Sequence, residues 1–216
     1  ISPRWLAIMK YDDVMKLALE RGFYFPSCEV YADAQAGFWE YGPAGVSLKN
    51  KFLELWRREL VRRDRMIEID GSQIMSKSVF EASGHLASFA DPIVRCTKCK
   101  STHRADKLIA EITKTEIPES AGLDEFDKVI AEKNIKCPKC GAGFENAKKF
   151  NMMFQVGIGP EGEAAYLRPE TCQSIFVDFP RLFKTMRGKL PLGIAQTGKS
   201  FRNEIAPRQS LLRLRE

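Results

Sequence analysis

The chain has 216 residues, a formal net charge of +6 and 44% hydrophobic residues. This length and apolar content suffice for a core of one or two domains, and no apolar run approaches the roughly twenty residues of a membrane span, which excludes a membrane-spanning class. The positive charge favours polyanionic partners without choosing one. With six cysteines and no secretory leader, we expect a protein of the reducing cytoplasm.

The first third of the sequence predicts two amphipathic helices. Apolar residues at helical spacing, between two aspartates and Gly22, predict a capped helix from Tyr11 to Arg21. A turn over residues 39–43 then leads into a longer helix, whose apolar positions are Leu48, Phe52, Leu55, Trp56 and Leu60. Such periodicity is typical of any helix packed on a core. The alternating run Met66–Ile69 predicts a strand.

Two cysteine pairs predict a metal site in the middle of the chain. Both pairs have CxxC spacing, and their members are Cys96, Cys99, Cys137 and Cys140. Four thiolates suit tetrahedral Zn²⁺ in a closed, structural site, although four unligated cysteines are the alternative and His103 is a less favoured ligand. The segment between the pairs predicts a helical hairpin, with helices over 105–116 and 124–134.

Charged residues bracket an apolar segment near the carboxyl end. The first group is Arg168-Pro169-Glu170-Thr171, in which proline fixes φ beside the carboxylate. Antiparallel strands are predicted over 194–195, 201–205 and 211–214, separated by turn residues. Side chains two residues apart share one face of a strand, so Arg202 and Glu204 would point the same way, as would Arg213 and Arg215.

This pattern of arginines and a glutamate suits ATP. Guanidinium groups pair with phosphate oxygens, and a carboxylate accepts a hydrogen bond from the exocyclic amine of a base. The same alternation also occurs on the solvated face of an ordinary antiparallel hairpin. Composition alone does not separate these two interpretations.

Several motifs, in order, resemble glycyl-tRNA synthetases of the archaeal and eukaryotic kind, which are class II aminoacyl-tRNA synthetases. RPET followed by FRNEIAPRQSLLRLRE resembles the second class II motif. The likeness extends upstream through GFWEYGPAGVSLKNKFLELW, ASGHLASFADPIVRC, RADKL and KFNMMF, and so covers nearly all of Tyr11–Glu216. One departure is RPETCQS, where Cys172 and Ser174 replace the usual small residues of RPETAQG.

The resemblance implies a fold of the α/β (α+β) class, with a class II antiparallel sheet flanked by helices. Residues 1–95 would be the first part of the catalytic domain, including the first class II motif with Pro43. Residues 96–147 would be an inserted, zinc-ribbon-like subdomain, and 148–216 would continue the catalytic domain into the second motif. We expect the third motif and the anticodon-binding domain to lie outside these residues. The resemblance therefore does not imply that residues 1–216 catalyse the reaction alone.

The resemblance also implies roles for individual residues. The implied ATP-binding residues are Arg202, Asn203, Glu204, Leu212, Arg213, Leu214 and Arg215, with Arg202 as the catalytic cation at the α-phosphate. The implied glycine-binding residues are Arg104, Glu170 and Glu216. Glu170 would hold the substrate ammonium.

The implied activity is that of a glycine–tRNA ligase. Its substrates are ATP with Mg²⁺, glycine and tRNA(Gly), and a homodimer would form through the first class II motif. A non-catalytic, synthetase-like accessory module is the alternative, and a pure zinc-ribbon nucleic-acid binder is a weaker one because the ribbon is a small part of the chain.

Overall fold

The computed structural model of the chain describes residues 10–118, 121–205, 207 and 214–216. The chain divides into two compact units, each built from segments that are distant in sequence. The first unit takes its described residues from 10–73, 168–201, 207 and 214–216. The second takes them from 74–118, 121–167 and 202–205. Across these residues, the helices are too short or too polar to cross a bilayer.

Helices and strands alternate irregularly along the described residues. The helices are α1 (Tyr11–Glu20), α2 (Pro43–Trp56), α3 (Lys77–Ala82), α4 (His85–Ser88), α5 (Ala105–Thr113), α6 (Leu123–Glu132) and α7 (Cys172–Thr185). The strands are β1 (Tyr24–Pro26), β2 (Trp39–Tyr41), β3 (Ile67–Ile69), β4 (Ile74–Ser76), β5 (Ala90–Arg95), β6 (Thr102–Arg104), β7 (Lys148–Asn151), β8 (Gln155–Ile158), β9 (Glu163–Leu167) and β10 (Ile194–Gln196). A π-helical segment, Arg57–Arg62, continues α2.

The predicted helix over 11–21 is confirmed as α1, and glycine terminates it. Gly22 has φ +65°, the N–H of Phe23 donates to the carbonyl of Ala18, and the N–H of Gly22 donates to that of Leu19. This pair of bonds is a Schellman motif, which satisfies carbonyls that the helix leaves unpaired. The chain then reverses into β1.

The predicted turn over 39–43 is wrong at its start, because residues 39–41 form β2. This strand pairs antiparallel with β1, with Tyr24 opposite Tyr41. Gly42 connects β2 to α2 as the extended N-cap residue of that helix, and a Cβ atom on it would lie 2.2 Å from the carbonyl oxygen of Gly22. Pro43 follows at the first helical position, which needs no N–H donor.

The apolar face of α2 is exposed. Leu48, Phe52 and Leu55 are 58%, 65% and 46% exposed, although their spacing is helical as predicted. Within the described residues, this apolar face therefore does not pack on a core, whereas the apolar face of an ordinary core helix does.

The second unit contains two three-stranded antiparallel sheets. Their strand orders are β4-β9-β8 and β6-β5-β7. β8 and β9 form a hairpin closed by a turn in which Gly159 and Gly162 have positive φ. Positive φ suits glycine because it lacks a Cβ atom.

The core of the second unit lies under the predicted helical hairpin, which is confirmed as α5 and α6. Both helices end a few residues before the predicted ends, and α6 begins one residue earlier than predicted. Both helices contribute apolar side chains to one buried cluster with β5. The cluster comprises Val94, Ala105, Leu108, Ile109, Phe126, Ile135 and Ala147. The segment between the two cysteine pairs thus packs on an apolar cluster that also includes Val94 and Ala147 from its flanks.

The predicted strands near the carboxyl end differ from those observed. β10 is present but pairs parallel with β3. Residues 201–204 are not a strand, because the N–H of Glu204 donates to the carbonyl of Arg202 in a three-residue turn. The prediction that Arg202 and Glu204 share one face of a strand is therefore wrong. The strand predicted over 211–214 lies outside the described residues except for Leu214. The mixed α/β class with mostly antiparallel pairing is nevertheless confirmed.

Candidate functional site

The four predicted cysteines lie together in the second unit. Their Sγ atoms all lie within 4.8 Å of one another. The Sγ atoms of Cys96 and Cys140 are 3.4 Å apart, and those of Cys99 and Cys137 are 3.7 Å apart. Tetrahedral Zn²⁺ with bonds of about 2.3 Å requires sulfur separations of about 3.8 Å. The cluster therefore fits a zinc ribbon in donor type, number and spacing.

Ser101 is a polar neighbour of the cysteines that the sequence did not reveal. Its Oγ lies 3.0 Å from Sγ of Cys99 and 2.9 Å from Nε2 of His103. The hydrogen bond with Ser101 lowers the pKa of Cys99 to about 6, which favours the thiolate that a metal binds. Nε2 of His103 lies 3.9 Å from Sγ of Cys137 and is not one of the four clustered donor atoms.

Arg104 lies in the second unit at the junction of β6 and α5, held by two carboxylates. Its Nη1 is 2.9 Å from Oδ2 of Asp91. Its Nε and Nη2 donate to Oδ1 and Oδ2 of Asp106 over 3.1 and 2.8 Å. Hydrogen bonding to Asp106, followed by the charge of Asp91, raises the pKa of Arg104 above its ordinary value. Nothing in the sequence pattern alone marked Asp91 or Asp106.

The predicted ATP-binding residues 202–204 also belong to the second unit. The guanidinium carbon of Arg202 lies 5.4 Å from the ring centroid of Phe89, a cation–π distance. The N–H of Asn203 donates to the carbonyl of Met152 over 2.8 Å. Glu204 is close enough to Arg104 to raise the pKa of that guanidinium further. Arg104 and Glu204, distant in sequence, are thus brought near each other.

In the first unit, Arg168 is structural. Its side chain is 1% exposed, and Nε and Nη1 donate to the carbonyls of Lys199 and Gly71, each over 2.9 Å. Its own carbonyl accepts from the N–H of Phe201. A buried guanidinium needs such acceptors to offset its lost hydration. Arg168 therefore ties three segments together beside Glu170.

Glu170 lies just before α7, and the first turn of this helix holds its carboxylate. Nε2 of Gln173 and Sγ of Cys172 both donate to Oε1, over 2.7 and 3.0 Å. Burial, and then the hydrogen bond to Glu170, raise the pKa of Cys172 to about 11, so the thiol stays protonated and remains a donor. Gln173 is itself buried.

The loop that carries Glu170 is also fixed by β10. The side chain of Gln196 accepts from the N–H of Gly71 over 3.0 Å and donates to the carbonyl of Thr171. A Cβ atom on Gly71 would lie 2.2 Å from Oγ of Ser174, so only glycine fits there without movement. Arg168 at the start of RPET and Gln196, which bonds to Thr171 at its end, thus hold this sequence in place.

Of the predicted residues near the chain end, Leu214, Arg215 and Glu216 are described, whereas Leu212 and Arg213 lie outside the described residues. Nη1 of Arg215 donates to the carbonyl of Ala36 over 2.9 Å, and Glu216 forms an ion pair with Lys199. Leu214 and Glu216 line a cavity of about 660 Å³ in the first unit. Its other lining residues are Tyr24, Trp39, Glu40, Tyr41, Lys49, Leu53, Thr197, Gly198, Lys199 and Ser200.

Comparison with curated proteins identifies close archaeal relatives, all named glycine–tRNA ligase. The chain is 45% identical over 208 residues to the protein of Methanothrix thermoacetophila, a match covering 96% of this chain and 36% of the relative. It is 45% identical over 207 residues to the protein of Methanocaldococcus jannaschii and 44% identical over 209 residues to that of Aeropyrum pernix. The chain thus spans about a third of the length of these relatives.

Comparison with solved structures supports the fold. One similar structure is the crystal structure described as the RNA binding domain of threonyl-tRNA synthetase from Cryptosporidium parvum Iowa II, with a TM-score of 0.53 at 19% identity. The match covers 93% of this chain and 34% of that one, and at this identity it concerns the fold alone. No protein-family model matches the sequence. The resemblance inferred from the motifs is confirmed: the chain is homologous to a part, about one third, of archaeal proteins named glycine–tRNA ligase.

Proposed function

We propose that the chain is part of an enzyme that activates glycine with ATP and transfers it to tRNA(Gly), and that it acts in the cytoplasm. The observation that carries this proposal is the 45% identity over 96% of the chain to proteins named glycine–tRNA ligase. The side-chain contacts of Glu170 and Arg104 support it, because residues that the resemblance assigns to glycine are held by dedicated neighbours.

The proposed reaction has two steps. The glycine carboxylate attacks the α-phosphorus of ATP and pyrophosphate leaves, which gives glycyl-adenylate. A hydroxyl at the tRNA 3′ end then attacks the glycyl carbonyl, and AMP leaves. Mg²⁺ would enter with ATP and neutralise phosphate charge. Such chemistry depends mainly on positioning and on cationic stabilisation of the phosphoryl centre.

Each predicted side chain has a task in this scheme. Arg202 would stabilise charge at the α-phosphate, with Asn203, Glu204, Leu212, Arg213, Leu214 and Arg215 contributing to ATP binding. Glu170 would accept from the glycine ammonium, and Arg104 and Glu216 would complete glycine binding. A carboxylate that already accepts two hydrogen bonds at Oε1 is fixed in direction, which suits recognition of a small ammonium.

The proposed zinc role is structural. Cys96, Cys99, Cys137 and Cys140 would fill all four positions of a tetrahedral Zn²⁺, which leaves no position for a substrate. Zinc would join the two ends of residues 96–147, the proposed inserted subdomain, and reinforce the apolar cluster beneath its helical hairpin.

We also propose a homodimer that covers the exposed face of α2. Leu48, Phe52 and Leu55 form an apolar face, which is the usual composition of an interface core. Sedimentation equilibrium tests this proposal. Phe52→Asp should shift the protein to monomer, whereas Glu54→Asp, on the same helix, should not. A dimer unaffected by Phe52→Asp would place the interface elsewhere.

The binding test uses a hybrid ligase, which is the Methanothrix thermoacetophila relative with its matching segment replaced by this chain. Calorimetry with a sulfamoyl analogue of glycyl-adenylate should show tight binding and at least about tenfold weaker binding of the alanyl analogue. Comparable affinity for both analogues would contradict specificity for glycine. No binding by a folded hybrid would favour the alternative, a synthetase-like module without activation chemistry.

A further inference from the structure

Arg104 is braced by carboxylates from two different elements of the second unit. Asp91 belongs to β5 and is 6% exposed, whereas Asp106 lies in the first turn of α5. Asp106 engages the guanidinium through two hydrogen bonds, and Asp91 contacts Nη1. A buried carboxylate such as that of Asp91 seldom remains ionised without a cationic partner, and the partly buried Asp106 adds two hydrogen bonds to the same guanidinium.

Strand pairing accounts for the contact with Asp91. Arg104 is the register partner of Ile93, and Asp91 lies two residues from Ile93 on the same face of β5. Diagonal neighbours on one face lie about 7–8 Å apart, a gap that an arginine side chain spans. The helix supplies the other acid, because α5 begins directly after Arg104. The register of β5 and β6 thus places Asp91 beside the guanidinium of Arg104, and the start of α5 places Asp106 there.

The hydrogen bonds leave part of the guanidinium available. Arginine has five N–H donors in a rigid plane, and two of them, on Nε and Nη2, donate to Asp106. Nη1 lies 2.9 Å from Oδ2 of Asp91, an ion-pair contact without a hydrogen bond. The directions of the remaining N–H groups on Nη1 and Nη2 are fixed once the plane is fixed. A planar fork of this kind matches a carboxylate.

We infer that Asp91 and Asp106 are positioning residues, which hold the guanidinium of Arg104 in one orientation so that N–H groups of Nη1 and Nη2 that do not donate to Asp106 meet the carboxylate of the substrate. The inference rests on the proposed function, in which Arg104 binds glycine. Neither acid touches the substrate in this scheme, and each acts through Arg104. A merely structural ion pair would affect folding without coupling to Arg104 in substrate binding.

A spectroscopic test uses the 216-residue chain with ¹⁵N-labelled arginine. A braced guanidinium rotates slowly, so Arg104 should give separate Nη–H signals, identified by their loss in Arg104→Lys. Asp106→Asn should average these signals, whereas Asp124→Asn, at the same second position of α6, should leave them unchanged. Averaged signals in the unsubstituted chain, or unaltered signals in Asp106→Asn, would overturn the inference.

A kinetic test uses the hybrid ligase. Asp91→Asn and Asp106→Asn should each raise KM for glycine about tenfold or more, with smaller effects on KM for ATP and on kcat. Adding either change to Arg104→Lys should have little further effect, because the acids act through the arginine. Fully additive effects would overturn the inference. An inactive hybrid with the unsubstituted chain would instead refute the proposed function, and the arginine signals would still decide whether the brace exists.

Discussion

Nε2 of Gln173 donates to Oε1 of Glu170 over 2.7 Å, so the first turn of α7 fixes the carboxylate that precedes it. Cys172 donates to the same oxygen. Both donors come from residues that follow RPET directly, and the buried Arg168 holds the other end of this motif. The short sequence RPETCQ therefore contains a carboxylate together with the groups that orient it.

The first prediction concerns the charge of Glu170. Glu170→Gln keeps the shape of the side chain but loses its charge, and a hydrogen bond to a charged group contributes about 1.5–3 kcal/mol. We expect KM for glycine in the hybrid ligase to rise about 10- to 100-fold. Glu163→Gln, an exposed change in β9, should leave KM unchanged. Normal glycine binding by Glu170→Gln would remove Glu170 from the proposed role.

The second prediction concerns the thiol of Cys172. Its pKa, raised from 9.0 to about 11 by burial and by Glu170, leaves about a hundredfold less thiolate at pH 8 than an ordinary thiol has. In the zinc-bound chain, iodoacetamide should therefore label the exposed Cys28 far faster than Cys172, as followed by peptide mass spectrometry.

The labelling rate of Cys172 should also rise with pH up to about 11, because its folded-state pKa is raised. Deprotonation of this thiol is disfavoured in the folded protein, so stability should fall as the pH rises from about 9 towards 11. Equal labelling of Cys28 and Cys172 at pH 8 would show that the Glu170 neighbourhood does not protect the thiol.

The third prediction concerns zinc. The chain should bind about one zinc ion, measured by elemental analysis after dialysis. Cys137→Ser removes a ligand that is 3% exposed and should abolish stoichiometric binding, with a melting temperature lower by more than about 5 °C. Cys28→Ser is the matched control and should retain both zinc and stability. Full zinc binding by Cys137→Ser would mean that the four-sulfur set is not the site.

The fourth prediction concerns the core of the second unit. Ile109 and Ile112 belong to the same helix, α5, but are 1% and 51% exposed. Ile109→Ala should lower the free energy of unfolding by about 2–5 kcal/mol through lost burial and a cavity. Ile112→Ala should cost less than about 1 kcal/mol. Urea unfolding compares the two, and equal losses would contradict the described packing of the hairpin.

Sequence patterns predicted the elements that carry strong local signals. α1 ends at a glycine with positive φ, and the hairpin of α5 and α6 follows its apolar spacing. The CxxC spacing likewise predicted which four thiols converge, since two residues between cysteines suffice to bring a pair to one metal.

Patterns failed where partners distant in sequence decide the conformation. Residues 201–205 alternate like a strand, yet the N–H of Asn203 pairs with the carbonyl of Met152, and a turn forms at Arg202. The contact between Asp91 and Arg104 depends on the register of β5 and β6, which the sequence around Asp91 alone does not reveal. The hydrogen bond from Gln173 to Glu170 is local, and the spacing of three residues at a helix start could have suggested it.

The proposed activation of glycine is decided by glycine-dependent exchange of pyrophosphate into ATP, measured with this chain and with the hybrid ligase. We expect exchange by the hybrid that requires glycine, is not supported by alanine, and is lost in Arg202→Ala. A folded, zinc-containing hybrid that exchanges no pyrophosphate with glycine, or that exchanges it equally well with Arg202→Ala, would refute glycine activation through Arg202.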